Sequence, residues 1–212
     1  MREFFKASWL VLVSSLGFGL LLAVTYTNWQ PRIELNRRLA LERGVRAILP
    51  DADSIRTDTL SLATGPEREQ VVIFEGLDGT GAPVGYAFVA QGTGFQDRIE
   101  LLVGLNPELT RYRGIAVLFA AETPGFGDAV RDSAIFRSQF VGTPADSDLV
   151  VVKGPDSDRP KTDDYEIVSI TGATITSESV TRIINARSRQ VRPLLEETAR
   201  RPRDRSRTGE ST

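Results

Sequence analysis

The thirteen residues from Ser169 to Thr181, SITGATITSESVT, carry seven hydroxyl side chains around a single Gly-Ala pair. Gly172 permits a tight turn and Ala173 keeps it narrow. Two uses of such a cluster follow from elementary chemistry. Thr174, Thr176 and Ser177 suit the entrance of a helix, where side-chain oxygens satisfy N–H groups that lack an intrahelical partner. The same entrance also favours a phosphate, through those N–H groups and the positive end of the helix dipole. A threonine there either caps the helix, holds a phosphate, or is esterified by one.

The rest of the composition narrows what chemistry is open. The chain has 212 residues, no histidine, no cysteine and one methionine, Met1. Thiolate iron–sulfur sites, cysteine zinc sites and disulfides are excluded, as are histidine-ligated haem and a Ser-His triad. Acid–base work would rest on carboxylates, lysine or tyrosine, and redox work on an organic cofactor. No catalytic residue and no metal-ligand set is expected. The net charge of −2 hides a division: residues 28–198 carry −6, whereas residues 1–27 carry +1 and residues 199–212 carry +3. An acidic body argues against nucleic acid as a partner.

These groups need elements to position them. Ala7 to Pro31 is a run of 25 uncharged residues, long enough to cross a bilayer as a helix. Its two tryptophans, Trp9 and Trp29, lie 20 residues apart, roughly 30 Å along a helix, and tryptophan favours both membrane interfaces. The run is too long for a signal peptide and offers no small-x-small cleavage site, so a retained anchor in contact with lipid is expected. Ser14, Ser15, Gly17 and Gly19 permit close approach of neighbouring membrane helices. Counting positive flanks alone places the body in the cytoplasm.

Beyond the anchor, residues 33–50 read as a helix stopped by Pro50, with Leu35, Leu39, Val45, Ile48 and Leu49 at helical spacing. Strands are expected at 70–76, 84–91, 98–105 and 113–120, the first two joined as a hairpin through 77–83. A short helix at 132–140, strands at 148–153 and 165–170, and a helix from Ser177 that Pro193 can kink complete the body. The division is a 1–6 flank, a 7–31 transmembrane helix, a 32–198 domain and a 199–212 basic, disordered tail. The fold class is α+β, a mixed or antiparallel sheet with packed helices.

The motifs carry a family resemblance. TGATIT, Thr171 to Thr176, resembles the Ser-Gly-Ala-Thr-x-Thr motif of FMN-binding domains that hold flavin on threonine through a phosphoester. ETPGFGD, Glu122 to Asp128, followed by AIFRSQFVG, looks like the family's Glu-Thr-Pro-Gly-x-Gly segment. GTGFQDRIELLVGLN, residues 92–106, is similar to its Gly-x-Gly-aromatic loop and strand. Thr171 stands where the family usually has Ser, Phe126 where it has Leu, and Val168 where it often has Asp, with Glu166 the nearest carboxylate. With the anchor and the length, the chain resembles the G subunit of Rnf-type ion-translocating electron transport complexes.

The resemblance implies FMN on Thr176, attached by a separate Mg-dependent flavin transferase that uses FAD. Nothing in the sequence itself supplies an activating group for the threonine hydroxyl. Thr174, Thr171 and Ser177 would bond the phosphate or shape the turn with Gly172 and Ala173. Phe126 and Phe95 would wall the flavin ring, Gly125, Gly127 and Gly94 would admit close backbone, and Thr123 or Glu122 would meet its polar edge. Gly92 and Gly94 fit loop structure as well as a flavin contact. The implied role is an electron relay among the membrane and peripheral subunits of a ferredoxin/NAD oxidoreductase that pumps H⁺ or Na⁺. The implied location is a single-pass anchor in the bacterial inner membrane with the body on the periplasmic side. Two alternatives are the C subunit of a sodium-translocating NADH:quinone reductase, favoured less by length, and a membrane-anchored flavin-binding or sensory module outside any pump.

Overall fold

Three loops at one end of a five-stranded sheet define the region of interest in the computed structural model, which describes residues 2–64, 67–125, 127–132, 134–154 and 165–200. Phe126 and tail residues 201–212 lie outside the described residues.

The chain divides into two compact units, 1–42 and 43–212, and the division falls within the first helix. Helix α1 (Arg2–Ile48) is continuous where the sequence reading separated an anchor ending at Pro31 from a second helix. A proline costs one ladder bond and crowds the carbonyl four residues back. Strong helix formers beyond it, Arg32, Glu34 and Leu35, carry the helix on. Thr25 and Thr27 return their hydroxyls to Leu21 O and Ala23 O at 2.8 and 2.9 Å, the usual helical refuge for a threonine. In the first unit the side chains from Trp9 to Trp29 are exposed, and this part of α1 is long and apolar enough to cross a membrane. Leu35 and Leu39 are exposed too, so only Val45, Ile48 and Leu49 of the expected apolar stripe are buried.

In the second unit, strands β1 (Ser54–Thr64), β2 (Glu67–Leu77), β3 (Pro83–Thr93), β4 (Arg98–Leu105) and β5 (Tyr112–Ala120) form one antiparallel meander in chain order. β1 is an addition to the sequence reading. SIRTDTLSLAT is mostly polar and exposed, and as an edge strand it buries little besides Leu62. β4 is the most buried strand, with Ile99, Leu101, Leu102, Val103 and Leu105 inaccessible to solvent. β6 (Val150–Val152) and β7 (Glu166–Val168) pair in parallel as a separate two-stranded sheet.

Short helices α2 (Ala129–Asp132) and α3 (Ala134–Ser138) follow β5, and Phe136 stacks edge-to-face on Phe140 at 5.4 Å. Helix α4 (Thr174–Arg200) lays Val180, Ile183, Ile184, Val191 and Leu195 into the core and continues through Pro193. Ile183 sits against Gly92 of β3, where a Cβ would come within 2.6 Å of its Cγ1. Gly92 is therefore a packing residue for α4. Each such side chain contributes about 1.5–3 kcal/mol by leaving water, so the helix entrance is held by a well-packed rod.

Register explains why three loops meet. Ile99 of β4 pairs with Ala120 of β5, and Thr93 of β3 with Arg98 of β4. The β3–β4 turn and the segment leaving β5 thus emerge at the same sheet end, where α4 also begins.

Candidate functional site

Glu122 links the three loops. Its side chain leaves the segment after β5 and is 7% exposed. One oxygen, Oε1, accepts hydrogen bonds from the backbone N–H groups of Phe95 and Gln96 at 2.9 and 3.3 Å. The other, Oε2, accepts the hydroxyl of Thr176 at 3.1 Å. Both oxygens of a buried carboxylate are thereby used, as burial of such a group requires.

The slot for this carboxylate exists because two neighbours have no side chain. A Cβ on Gly94 would fall within 3 Å of Glu122 Oε1, Ile99 Cδ1 and Asp97 O. A Cβ on Gly127 would lie 2.8 Å from both Glu122 Oε2 and Thr176 Oγ1. Gly94 also closes the β3–β4 turn, its N–H donating to Asp97 O at 2.7 Å. Gly125 is different: it is exposed and has φ +79°, so its role is the turn itself. Thr123 reaches Gln96, hydroxyl to Oε1, at 3.1 Å, which ties the same two loops again.

The entrance of α4 begins three residues earlier than the sequence reading placed it. Gly172 turns the chain with φ +81°, and the first intrahelical bond runs from Ser177 N to Ala173 O at 2.9 Å. The amides of Thr174, Ile175 and Thr176 therefore precede any intrahelical acceptor. Ser177 does not cap these amides. Its hydroxyl donates to Ala173 O at 3.0 Å and accepts Ile170 N–H at 3.1 Å, which pins the turn from inside. The helix starts early because this internal bracing replaces a side-chain cap: Ala173, at the cap position, has no acceptor to offer. Thr176 faces Glu122 and is 2% exposed; Thr171 is exposed.

A cleft of about 470 Å³ opens over this arrangement, within the size range of small-molecule sites. Glu122, Thr123 and Gly127 line one side and Gly172, Ala173, Thr174 and Thr176 the other. Phe95 and Ile175 complete the lining and remain 62% and 54% exposed, two apolar surfaces beside the hydroxyls and the carboxylate. Eight of the thirteen residues singled out from the sequence thus share one cavity. Gly94 lies behind Glu122, Ser177 beneath the helix entrance, and Gly125 and Thr171 do not line the cavity. Ile175 was missed; its signal is an apolar residue in the first helical turn, off the stripe that α4 buries. The pairing of Glu122 with Thr176 was also missed, and no spacing rule connects residues 54 apart.

An FMN-binding domain family model matches residues 94–187, which span all three loops. The G subunit of the ion-translocating oxidoreductase complex of Methanosarcina acetivorans is 31% identical over 180 residues, covering 84% of this chain and 89% of its own. The G subunit of the Na(+)-translocating ferredoxin:NAD(+) oxidoreductase complex of Acetobacterium woodii is 37% identical over 106 residues, 50% of this chain and 48% of its own. In fold, the chain matches the crystal structure of Shewanella oneidensis NqrC with a TM-score of 0.59 at 18% identity, covering 72% of this chain and 88% of that one.

Proposed function

Because the chain belongs to the family of G subunits of ion-translocating oxidoreductase complexes, we propose that it is the membrane-anchored flavoprotein component of such a complex, relaying electrons through FMN held on Thr176 as a phosphoester. FMN supplies one- and two-electron chemistry when bound. A flavin that is covalently held cannot leave as a product, which suits a relay between fixed redox centres.

The observation that carries this reading is the position of the Thr176 hydroxyl. It lies at the floor of the cleft, in the first turn of α4, beside amides that have no intrahelical acceptor. A phosphodiester there keeps one negative charge at the positive end of a helix dipole, a gain of about 0.3–1 kcal/mol at an exposed site and up to ~2 kcal/mol at a partly buried one. That is too little to retain a dissociable flavin against dilution, and a covalent bond removes the problem. Phe95 and Ile175 offer apolar surface to a flavin ring, and Thr123 a polar contact. The reading further takes residues of α1 as a single-pass anchor in the inner membrane, with the body on the outer, periplasmic side. Its partners are the other subunits of the complex and a flavin transferase.

The test is co-expression with the transferase followed by in-gel flavin fluorescence of denatured protein. Wild type fluoresces, Thr176→Val does not, and Thr174→Val retains signal because its hydroxyl makes no contact with Glu122. Covalent flavin on Thr176→Val refutes the assignment.

A further inference from the structure

From the Glu122–Thr176 contact we propose that Glu122 is the proton acceptor for flavin attachment, so that this chain brings its own base to its modification. The proposal rests on Thr176 being the attachment point. A threonine hydroxyl needs a base within about 2.6–3.2 Å to become a useful nucleophile. The chain has no histidine to serve, but the fold brings Glu122 Oε2 to 3.1 Å from Thr176 Oγ1. The remaining bonds of Glu122 fix it for this task. Its other oxygen is held by the Phe95 and Gln96 amides, and Gly94 and Gly127, lacking side chains, leave the space that the carboxylate occupies.

The chemistry balances without a further reagent beyond the FAD that the transferase presents. Thr176 Oγ1 forms a bond to the phosphorus that bears the ribityl chain. The bridging P–O bond to the adenylate breaks, and AMP departs with that electron pair. The hydroxyl proton passes to Glu122 Oε2. Before FAD arrives the pocket holds one negative charge, on the carboxylate; once AMP has left it again holds one, on the phosphodiester. The newly formed carboxylic acid can then donate a hydrogen bond to a phosphodiester oxygen instead of repelling it. The unloaded and the loaded pocket thus each host one buried charge, which avoids the lasting cost of placing two negative groups together.

Two variants separate a base from a bracket. Glu122→Gln keeps the length and the acceptor for the Phe95 and Gln96 amides but cannot take a proton. Glu122→Asp keeps a carboxylate at the wrong length. Full-length protein purified in detergent without flavin would be mixed with excess transferase, FAD and Mg²⁺, and covalent incorporation followed by in-gel fluorescence and intact mass. The expected order is wild type, then Asp, then Gln, with Gln slower than wild type by about 10²-fold. Once loaded, the Gln variant should melt within a few degrees of loaded wild type, since glutamine mimics the protonated acid of the product. Loading of Gln at the wild-type rate, or faster than Asp, overturns the proposal. Slow loading of a Gln variant whose unloaded β4 amides have lost exchange protection also counts against it, because the carboxylate is then structural. Thr176→Val runs in parallel: flavin on that variant defeats the attachment reading itself, whereas an empty Thr176→Val beside a normal Gln variant defeats only the role of Glu122.

Discussion

Gly94→Ala probes the slot that holds Glu122 without touching the carboxylate. The new methyl would fall within 3 Å of Glu122 Oε1 and 2.7 Å from Ile99 Cδ1, and 2.9 Å from the backbone oxygen of Asp97. The Asp97 oxygen is tied by its bond from Gly94 N–H and Ile99 is fully buried, so the side chain of Glu122 must yield. Overpacking of this kind costs about 1–3 kcal/mol. Moving Oε1 off the Phe95 and Gln96 amides leaves buried polar groups unsatisfied, a further ~1–3 kcal/mol. A local loss of about 3 kcal/mol corresponds to about two orders of magnitude in an opening equilibrium. Tryptophan fluorescence cannot read this, because Trp9 and Trp29 both lie in α1. Amide hydrogen exchange by mass spectrometry can. Peptides covering Phe95 and Gln96 should exchange about 10²-fold faster than wild type, while β4 amides change far less. Gly154→Ala serves as a control, since among the described residues its Cβ would meet Val168 alone, at an ordinary 3.7 Å. Wild-type exchange at 95–96 in Gly94→Ala would show that the glycine does not shape the Glu122 slot.

Two further outcomes concern the support of α4. Tyr112 is 2% exposed and donates its hydroxyl to Ser188 at 3.1 Å; burial pushes its ionisation above the usual tyrosine range, partly offset by that bond and by Arg192. A raised value stabilises the fold below the ordinary tyrosine range, and this is lost as pH rises through it, so tyrosinate absorbance from Tyr112 should appear last and with unfolding; Tyr112→Phe should cost about 1 kcal/mol in denaturant unfolding. Arg187 of α4 donates to Glu69 of β2 at 2.7 Å, and this bond holds the Glu69 carboxyl below its ordinary value against a smaller opposing effect of burial. Glu69 is 41% exposed and screened by solvent, so Arg187→Leu should cost only about 1 kcal/mol near neutral pH. The difference from wild type should be full above the ordinary glutamate range and shrink as pH falls through the depressed value; a pH-independent difference would exclude the ion pair as its cause.

Local chemistry determined much of this protein. The uncharged run from Ala7 to Pro31, the strands at 70–76, 84–91, 98–105 and 113–120, and the apolar face of α4 are all written in short-range periodicity. Pro50 ends α1 as expected, because a ring without an N–H acts on its immediate neighbours. The three motifs and their order were legible for the same reason: each is a contiguous string. What depended on distant partners was not. β1 lacks a strand-like apolar alternation and exists through its ladder with β2. The start of α4 at Thr174 is decided by Ser177 reaching back to Ile170 and Ala173, where hydroxyl counting pointed to a conventional cap. Gly92 reads as a loop residue or a flavin contact until Ile183, on another element, occupies the space a Cβ would take. The meeting of Glu122 with Thr176 is the largest such case. Sheet register sends the β3–β4 turn and the end of β5 to one end of the sheet, β7 delivers α4 there, and two glycines leave room for one carboxylate. A contact between residues 54 apart is a property of how strands pair and helices pack, and only the folded chain contains it.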